Sequence, residues 1–330
     1  MRHKIFRAIF NITATATIVA TGILAACTSD SSSSGPVEEQ PACSSSYMDT
    51  PAEPESSSSA TEPKFSSVTL QSSSSDKVTE PAEVTSSSSS SPYLWHDEFD
   101  FIDTTQWTFE TGASGWGNNE WQYYTNRSEN AFVQDGILHI RASKEDYEGA
   151  KYTSARMITK GKFSFTYGTV EARIALPTGN GIWPAFWMLG ENIDAVSWPA
   201  CGEIDIIEAV NDENVVYGTN HWQYEGGHAQ YGNSTKDYYG TSKALDITQF
   251  HNYKMVWNEK LIAMYVDDFK YHEISIELDA NGKSAGGTDA FHKPFFFILN
   301  VAVAGNWPGF EVDDSQFPNE MLVDYIRVLK

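Results

Sequence analysis

The chain has 330 residues, 44 of them acidic and 22 basic, for a formal net charge of −22. So acidic a surface offers no basic stripe for nucleic acid, and it disfavours strongly anionic polymers. Three cysteines (Cys27, Cys43 and Cys201) make no disulfide framework, and all ten tryptophans lie at or beyond Trp95.

Met1 to Arg7 carries three basic residues and a histidine, followed by an apolar, threonine-rich stretch from Ala8 to Ala26. It ends in Leu24-Ala25-Ala26-Cys27, which resembles a bacterial lipoprotein signal and its lipobox. The resemblance implies cleavage after residue 26 and lipidation of Cys27. It also implies an exported protein anchored in a membrane, at the outer membrane or cell surface. Asn11 and several threonines interrupt the stretch, which makes a stable membrane span the weaker reading. Residues 27–92 are dominated by serine runs mixed with Pro, Glu and Thr. They cannot bury enough apolar surface to offset their ordering entropy and read as a disordered tether. Residues 93–330 remain as one folded domain.

That domain opens with Leu94-Trp95-His96-Asp97-Glu98-Phe99. A loop at Gly112 to Gly117 leads into Asn118-Asn119-Glu120-Trp121-Gln122-Tyr123-Tyr124, a mixture of amides and aromatics suited to hydroxyls and sugar rings. Asp135-Gly136 marks a turn before a strand from Gly136 to Ala142. Gly161 to Leu176 reads as a long alternating strand whose phase switches at Gly168, as at a bend or bulge. Ile182 to Leu189 follows, then Val215 to Trp222, Tyr253 to Trp257 and Leu261 to Val266. Asp267-Asp268 predicts a hairpin turn into Phe269 to Ile276. Pro294 to Val303 is apolar throughout, as in a strand buried on both faces, and Met321 to Leu329 alternates. Many short strands without a long amphipathic helix predict an all-β, two-sheet antiparallel sandwich of jelly-roll type with a concave cleft.

The centre of the reading is Gly202-Glu203-Ile204-Asp205-Ile206-Ile207-Glu208. An unpaired carboxylate is costly to bury, so three of them among isoleucines need a reason. On a helix Glu203 and Glu208 stand about 140° apart and cannot converge. On a regular strand Glu203 and Asp205 share a face while Glu208 points away. One extra residue at Ile206-Ile207, a β-bulge, returns Glu208 to that face. Two glutamates with an aspartate between them then suit glycosidic-bond hydrolysis. One carboxylate attacks, the other protonates the leaving oxygen, and Asp205 orients a neighbour. Glu208, as the acid, should have a raised pKa. Retention needs carboxyls about 5–5.5 Å apart and inversion about 6.5–9.5 Å, and spacing alone leaves both open. Three carboxylates also suit a calcium ion, though such sites are mostly built on loops. Cys201 reads as a small packed side chain, since no second Cys or His stands at ligand spacing.

Glu203-x-Asp205-x-x-Glu208 resembles the signature of glycoside hydrolase family 16 in the bulged form of its laminarinases. The bulge-free lichenases have one residue fewer before the second Glu. Similar segments run through the domain: Gly115 to Glu120, Gln122 to Tyr124, Tyr152 to Arg156, Gly181 to Leu189 and Asp324 to Val328. The resemblance implies a retaining endo-β-1,3-glucanase that needs no cofactor for catalysis and acts on β-glucan as a monomer. It assigns Glu203 as nucleophile, Asp205 as assisting acid and Glu208 as acid/base. Trp183 and Trp187 are implied as cleft aromatics, and His221-Trp222 as a neighbouring-strand pair with the imidazole near the acid/base. Asn118, Glu120, Arg127 and Trp198 are implied as cleft-lining. A structural calcium is implied at Glu98, the Gly136 carbonyl and Asp324. Alternatives within the family are mixed-linkage glucan or galactan hydrolysis. A non-catalytic glucan-binding surface protein is the reading from another class, and such proteins typically lose one glutamate.

Overall fold

The structure, a computed structural model, describes residues 91–330; the signal segment, Cys27 and residues 27–90 of the tether lie outside the described residues. The described chain begins with β1 (Tyr93–Asp97), β2 (Thr108–Glu110), β3 (Gln122–Tyr124), β4 (Ala131–Gln134), β5 (Ile137–Tyr147) and β6 (Ala150–Ser154). Next come β7 (Arg156–Ile158), β8 (Gly168–Ala175), β9 (Ile182–Gly190), β10 (Glu203–Glu208), β11 (Tyr217–Tyr224) and β12 (Gly227–Ser234). The last are β13 (His251–Trp257), β14 (Leu261–Val266), β15 (Phe269–Ser275), β16 (Phe295–Val303) and β17 (Asn319–Leu329). Helix is confined to single turns, such as α1 (Ile193–Val196). Among the described residues no helix is long and apolar enough to cross a membrane.

Two sheets face each other, as the strand pattern predicts. The larger runs β15-β14-β13-β8-β17-β5-β6-β3, with β1 against β17 and β4 against β5; the smaller runs β12-β11-β10-β9-β16-β7-β2. The inward residues of both sheets form one core, in which Ile204 and Phe186 of the smaller sheet join Val170, Met255 and Ile326 of the larger. Burying these side chains is the main favourable term, worth roughly 1.5–3 kcal/mol for each large apolar group.

All nine residues of β16 are buried, as its apolar run, interrupted only by Asn300, predicts. Phe295, Phe297 and Leu299 enter the main core. Phe296 and Ile298, on the other face, pack with Ile158, Leu189 and Cys201 in a second small cluster. Cys201 is fully buried, and burial pushes its thiol up to about 11, which leaves it a packing residue.

Two expectations need correction. The stretch before Gly168 is not strand: β8 begins at Gly168, and only Phe165 bridges to Phe295. Its apparent alternation comes from aromatic packing, with Phe163 stacked on Trp95 at 5.0 Å and on Phe165 at 5.5 Å. The edge strand β12 was not foreseen, because its sequence, Gly-His-Ala-Gln-Tyr-Gly-Asn-Ser, carries no apolar run and is half exposed.

Candidate active site

Strand β10 lies inside the smaller sheet, between β9 and β11. Glu203 stands opposite His221 and Leu189, and Asp205 opposite Thr219 and Trp187. The register then slips, and Glu208 pairs with Tyr217 and Ala185. Three residue steps on β10 thus oppose two on each neighbour, the bulge that the spacing of the acids requires. The extra residue is absorbed inward: Ile206 and Ile207 are both buried in the main core. A bulge frees a backbone group from the ladder, and a buried free carbonyl is costly. Here the Tyr271 hydroxyl, from β15 in the facing sheet, donates to the Ile206 carbonyl.

Glycines set the entry and the depth of this strand. Gly202 precedes it at φ +81°, where a Cβ would stand 2.8 Å from the Phe295 ring. On β11, a Cβ at Gly218 would meet Met264 Sδ and the Tyr271 ring at 2.7 Å, so the sheets approach closely beneath the acids.

The three acids open into a cavity of about 370 Å³. Its walls include Trp116, Asn118, Glu120, Arg156, Trp183, Trp187, Trp198 and Asn300. The Trp198 indole N–H donates to Glu203 Oε2 at 3.0 Å, and that of Trp183 to Glu208 Oε1 at 3.0 Å. Burial raises all three carboxyls. Glu203 is pushed well above its usual range by burial and then by the charge of Asp205, and Asp205 by burial alone. Burial, then Asp205, raises Glu208 to about 8, the direction expected of the acid. Among the described residues no Lys or Arg pairs with any of the three. Arg156, the cation in the wall, is bound to Glu110 and lies over the Trp116 and Trp187 rings.

His221, set opposite Glu203 by the register, stands nearest the first two acids, with Nε2 3.2 Å from Asp205 Oδ2 and 3.7 Å from Glu203 Oε1. It also acts on Glu208, against the rise that burial causes there. Trp222, one residue on, points the other way. It is 8% exposed in the core and donates to the Gly286 carbonyl, so strand alternation removes it from the cleft. Arg127 is also absent from the cavity wall; it binds Glu145 and Asn130 and covers the Tyr147 ring at 4.3 Å. Asn118, Glu120, Trp183, Trp187 and Trp198 do line the cavity with the acids.

A polar layer behind the wall was not foreseen. Trp187 donates to Asn300 Oδ1 at 2.7 Å, Asn300 to the Tyr124 hydroxyl at 3.0 Å, and that hydroxyl to Glu120 Oε2 at 3.2 Å. Gln122 and Asn118 hold the remaining Glu120 lone pairs at 2.7 and 3.2 Å. Asn300 had no signal, since it sits alone in the β16 apolar run; only its outward phase betrays it. His228 of β12, 2.9 Å from His221 Nδ1, was missed with its strand.

The structure supports neither calcium reading. The metal-capable set in the cleft is Glu203, Asp205 and His221, which replaces Glu208 by an imidazole nitrogen and so does not suit a hard cation. Register does bring Glu98, Gly136 and Asp324 near the middle of β17, since Asp97 pairs with Ile326 and Leu138 with Val323. There, however, Arg327 holds both oxygens of Glu98, at 2.9 and 2.6 Å, and Arg173 holds Asp324. Carboxylates already neutralised by guanidinium groups do not fit a divalent cation, and these residues form ion pairs instead.

Residues 118–327 match the family model described as Glycosyl hydrolases family 16. The chain is 41% identical to a beta-glucanase of Rhodothermus marinus, over 72% of this chain and 84% of that protein. It is 44% identical to the clotting factor G alpha subunit of Tachypleus tridentatus, over 71% of this chain but only 33% of that longer protein. The catalytic domain of an endo-1,3-beta-glucanase from Thermotoga petrophila superimposes with a TM-score of 0.63 at 45% identity, over 72% of this chain and 97% of that one. With the match enclosing β10, its neighbours and the cavity wall, the chain belongs to glycosyl hydrolases family 16 and is a glycoside hydrolase.

Proposed function

We propose that the chain is an endo-acting β-1,3-glucanase that cleaves with retention through a glycosyl-enzyme intermediate. Glu203 attacks the anomeric carbon as the glycosidic C–O bond breaks, and Glu208 gives its proton to the departing oxygen. Water then gives a proton to Glu208 and attacks the anomeric carbon, and Glu203 leaves as a free carboxylate. Esterification removes one charge from a cluster in which Glu203 and Glu208 repel, which eases the switch of Glu208 from acid to base. Asp205 and His221 orient Glu203, while Trp183 fixes Glu208.

The observation that carries this reading is the bulge, which turns Glu208 to the face of Glu203 and Asp205 inside an aromatic-walled cavity. The substrate class is supported by the relatives described as a beta-glucanase and an endo-1,3-beta-glucanase. The full chain incubated with laminarin should release short reducing oligosaccharides, faster than from barley mixed-linkage glucan or agarose. Glu203→Gln should lower that rate by at least about 1,000-fold. No release from any β-1,3-glucan would refute the substrate assignment.

We further propose a lipid anchor at Cys27, supported by Leu24-Ala25-Ala26-Cys27, on an exported protein at the outer membrane or cell surface. Labelled fatty acid should be incorporated into the wild type and not into Cys27→Ala.

A further inference from the structure

We propose that the face built by Glu203, Asp205 and His221 also captures a borderline transition-metal cation, Zn²⁺ being the type, and that this capture inhibits the enzyme. The donors are Glu203 Oε1, Asp205 Oδ2 and His221 Nε2, all within 4.8 Å of one another. From Nε2 the two oxygens stand at 3.7 and 3.2 Å. Zinc bonds of about 2.0–2.1 Å in a tetrahedron put neighbouring donors about 3.3–3.4 Å apart, close to the two distances from Nε2.

Three further observations single out this trio from an ordinary cluster of acids. Asp205 has a side chain only 4% exposed, and its Oδ2 has no hydrogen-bond donor aligned on it despite the nearby imidazole. Glu203 is tied by its other oxygen, Oε2, to the Trp198 indole, which leaves Oε1 free and directed. His221 Nδ1 lies 2.9 Å from His228 Nε2. When Nδ1 is the donor in that contact, Nε2 is the ring nitrogen that meets an ion. An outer hydrogen bond of this kind is how proteins fix the tautomer of a ligating histidine.

Two carboxylates that give up their protons to the incoming cation balance its divalent charge. The fourth position opens into the cavity, and the nitrogen donor favours Zn²⁺ or Cu²⁺ over Ca²⁺ or Mg²⁺. A bound ion occupies the Glu203 lone pair that attacks the sugar, so metal and substrate exclude each other.

Calorimetric titration of ZnCl₂ into the full chain should show one site that CaCl₂ and MgCl₂ at equal concentration do not fill. The nearly isosteric His221→Asn should weaken Zn²⁺ binding at least tenfold. In the wild type, Zn²⁺ should protect His221 from diethyl pyrocarbonate, read by peptide mass spectrometry; this arm stands even where the variant fails to fold. No Zn²⁺ binding, binding unchanged in His221→Asn, or undiminished labelling of His221 would each overturn the proposal. None of these readouts involves a glucan, so they fail independently of the substrate assignment.

Discussion

Carboxylates on the two sheets are treated in opposite ways. On the larger sheet, Glu98 lies against Arg327 and Glu320 against Arg141 and His139. The Arg327 hydrogen bonds hold Glu98 below the usual carboxylate range. For Glu320, burial works against its His139 and Arg141 contacts, and the contacts win. On β10 no arginine or lysine pairs with Glu203, Asp205 or Glu208 among the described residues, and burial drives all three upward. The same side chain is thus a fixed anion on one sheet and, at Glu208, a proton carrier on the other. A general acid has to hold its proton near working pH, and an adjacent arginine would strip it.

The largest expected effect comes from making the two environments alike. Ala185 pairs with Glu208 across β9 and β10 and lines the cavity. Ala185→Lys would set an ammonium beside the acid and lower its pKa. We expect glucan hydrolysis to fall by about 100-fold or more, the scale of a lost general acid, with the alkaline limb of the pH–rate profile moving to lower pH. An unchanged profile would mean that Glu208 is not the acid.

Glu208→Gln removes the buried charge from the same place. The folded pKa of Glu208 is raised to about 8, so the unfolded chain ionises this group first. Its favourable contribution is therefore complete below its unfolded pKa and is lost as pH rises towards 8. Thermal melts should find the variant more stable than the wild type at pH 8, with the gap closing by pH 4. A gap of the same size at both pH values would contradict the raised pKa.

How much of this was legible in the sequence depends on which force set each feature. The acids, the bulge and the two-sheet class could be read because burying charge among isoleucines leaves few geometries open. Trp222 and Arg127 went astray because matching a motif does not say which face a side chain takes; alternation turned one into the core, and Glu145 drew the other from the cleft. Asn300 acts through contacts across 113 and 176 residues of chain and His228 from an unpatterned edge strand, and no local signal marks them. His272, buried and pushed down to about 4 by burial beneath β11, was likewise invisible, although its bond to Asn220 at 2.8 Å helps fix that strand.

Smaller effects test how the difference is maintained. Tyr271→Phe leaves the Ile206 carbonyl without its donor, and an unsatisfied buried group costs about 1–3 kcal/mol in denaturant unfolding. If the bulge depends on it, activity falls as well. On the paired side, Arg327→Ala should change stability by no more than about 1 kcal/mol, because its partner is more than a third exposed. A calcium chelator should leave Tm unchanged, and a clear fall would restore the cation reading at Glu98 and Asp324.

The most direct test of the account is to trap its intermediate. A 2-deoxy-2-fluoro β-1,3-glucosyl fluoride slows both steps, the second more than the first, and should leave a sugar ester that peptide mass spectrometry can locate. The account predicts a single labelled side chain, Glu203, with labelling lost in Glu203→Gln. A label on Glu208 or Asp205, or no ester under conditions in which laminarin is cleaved, would contradict it.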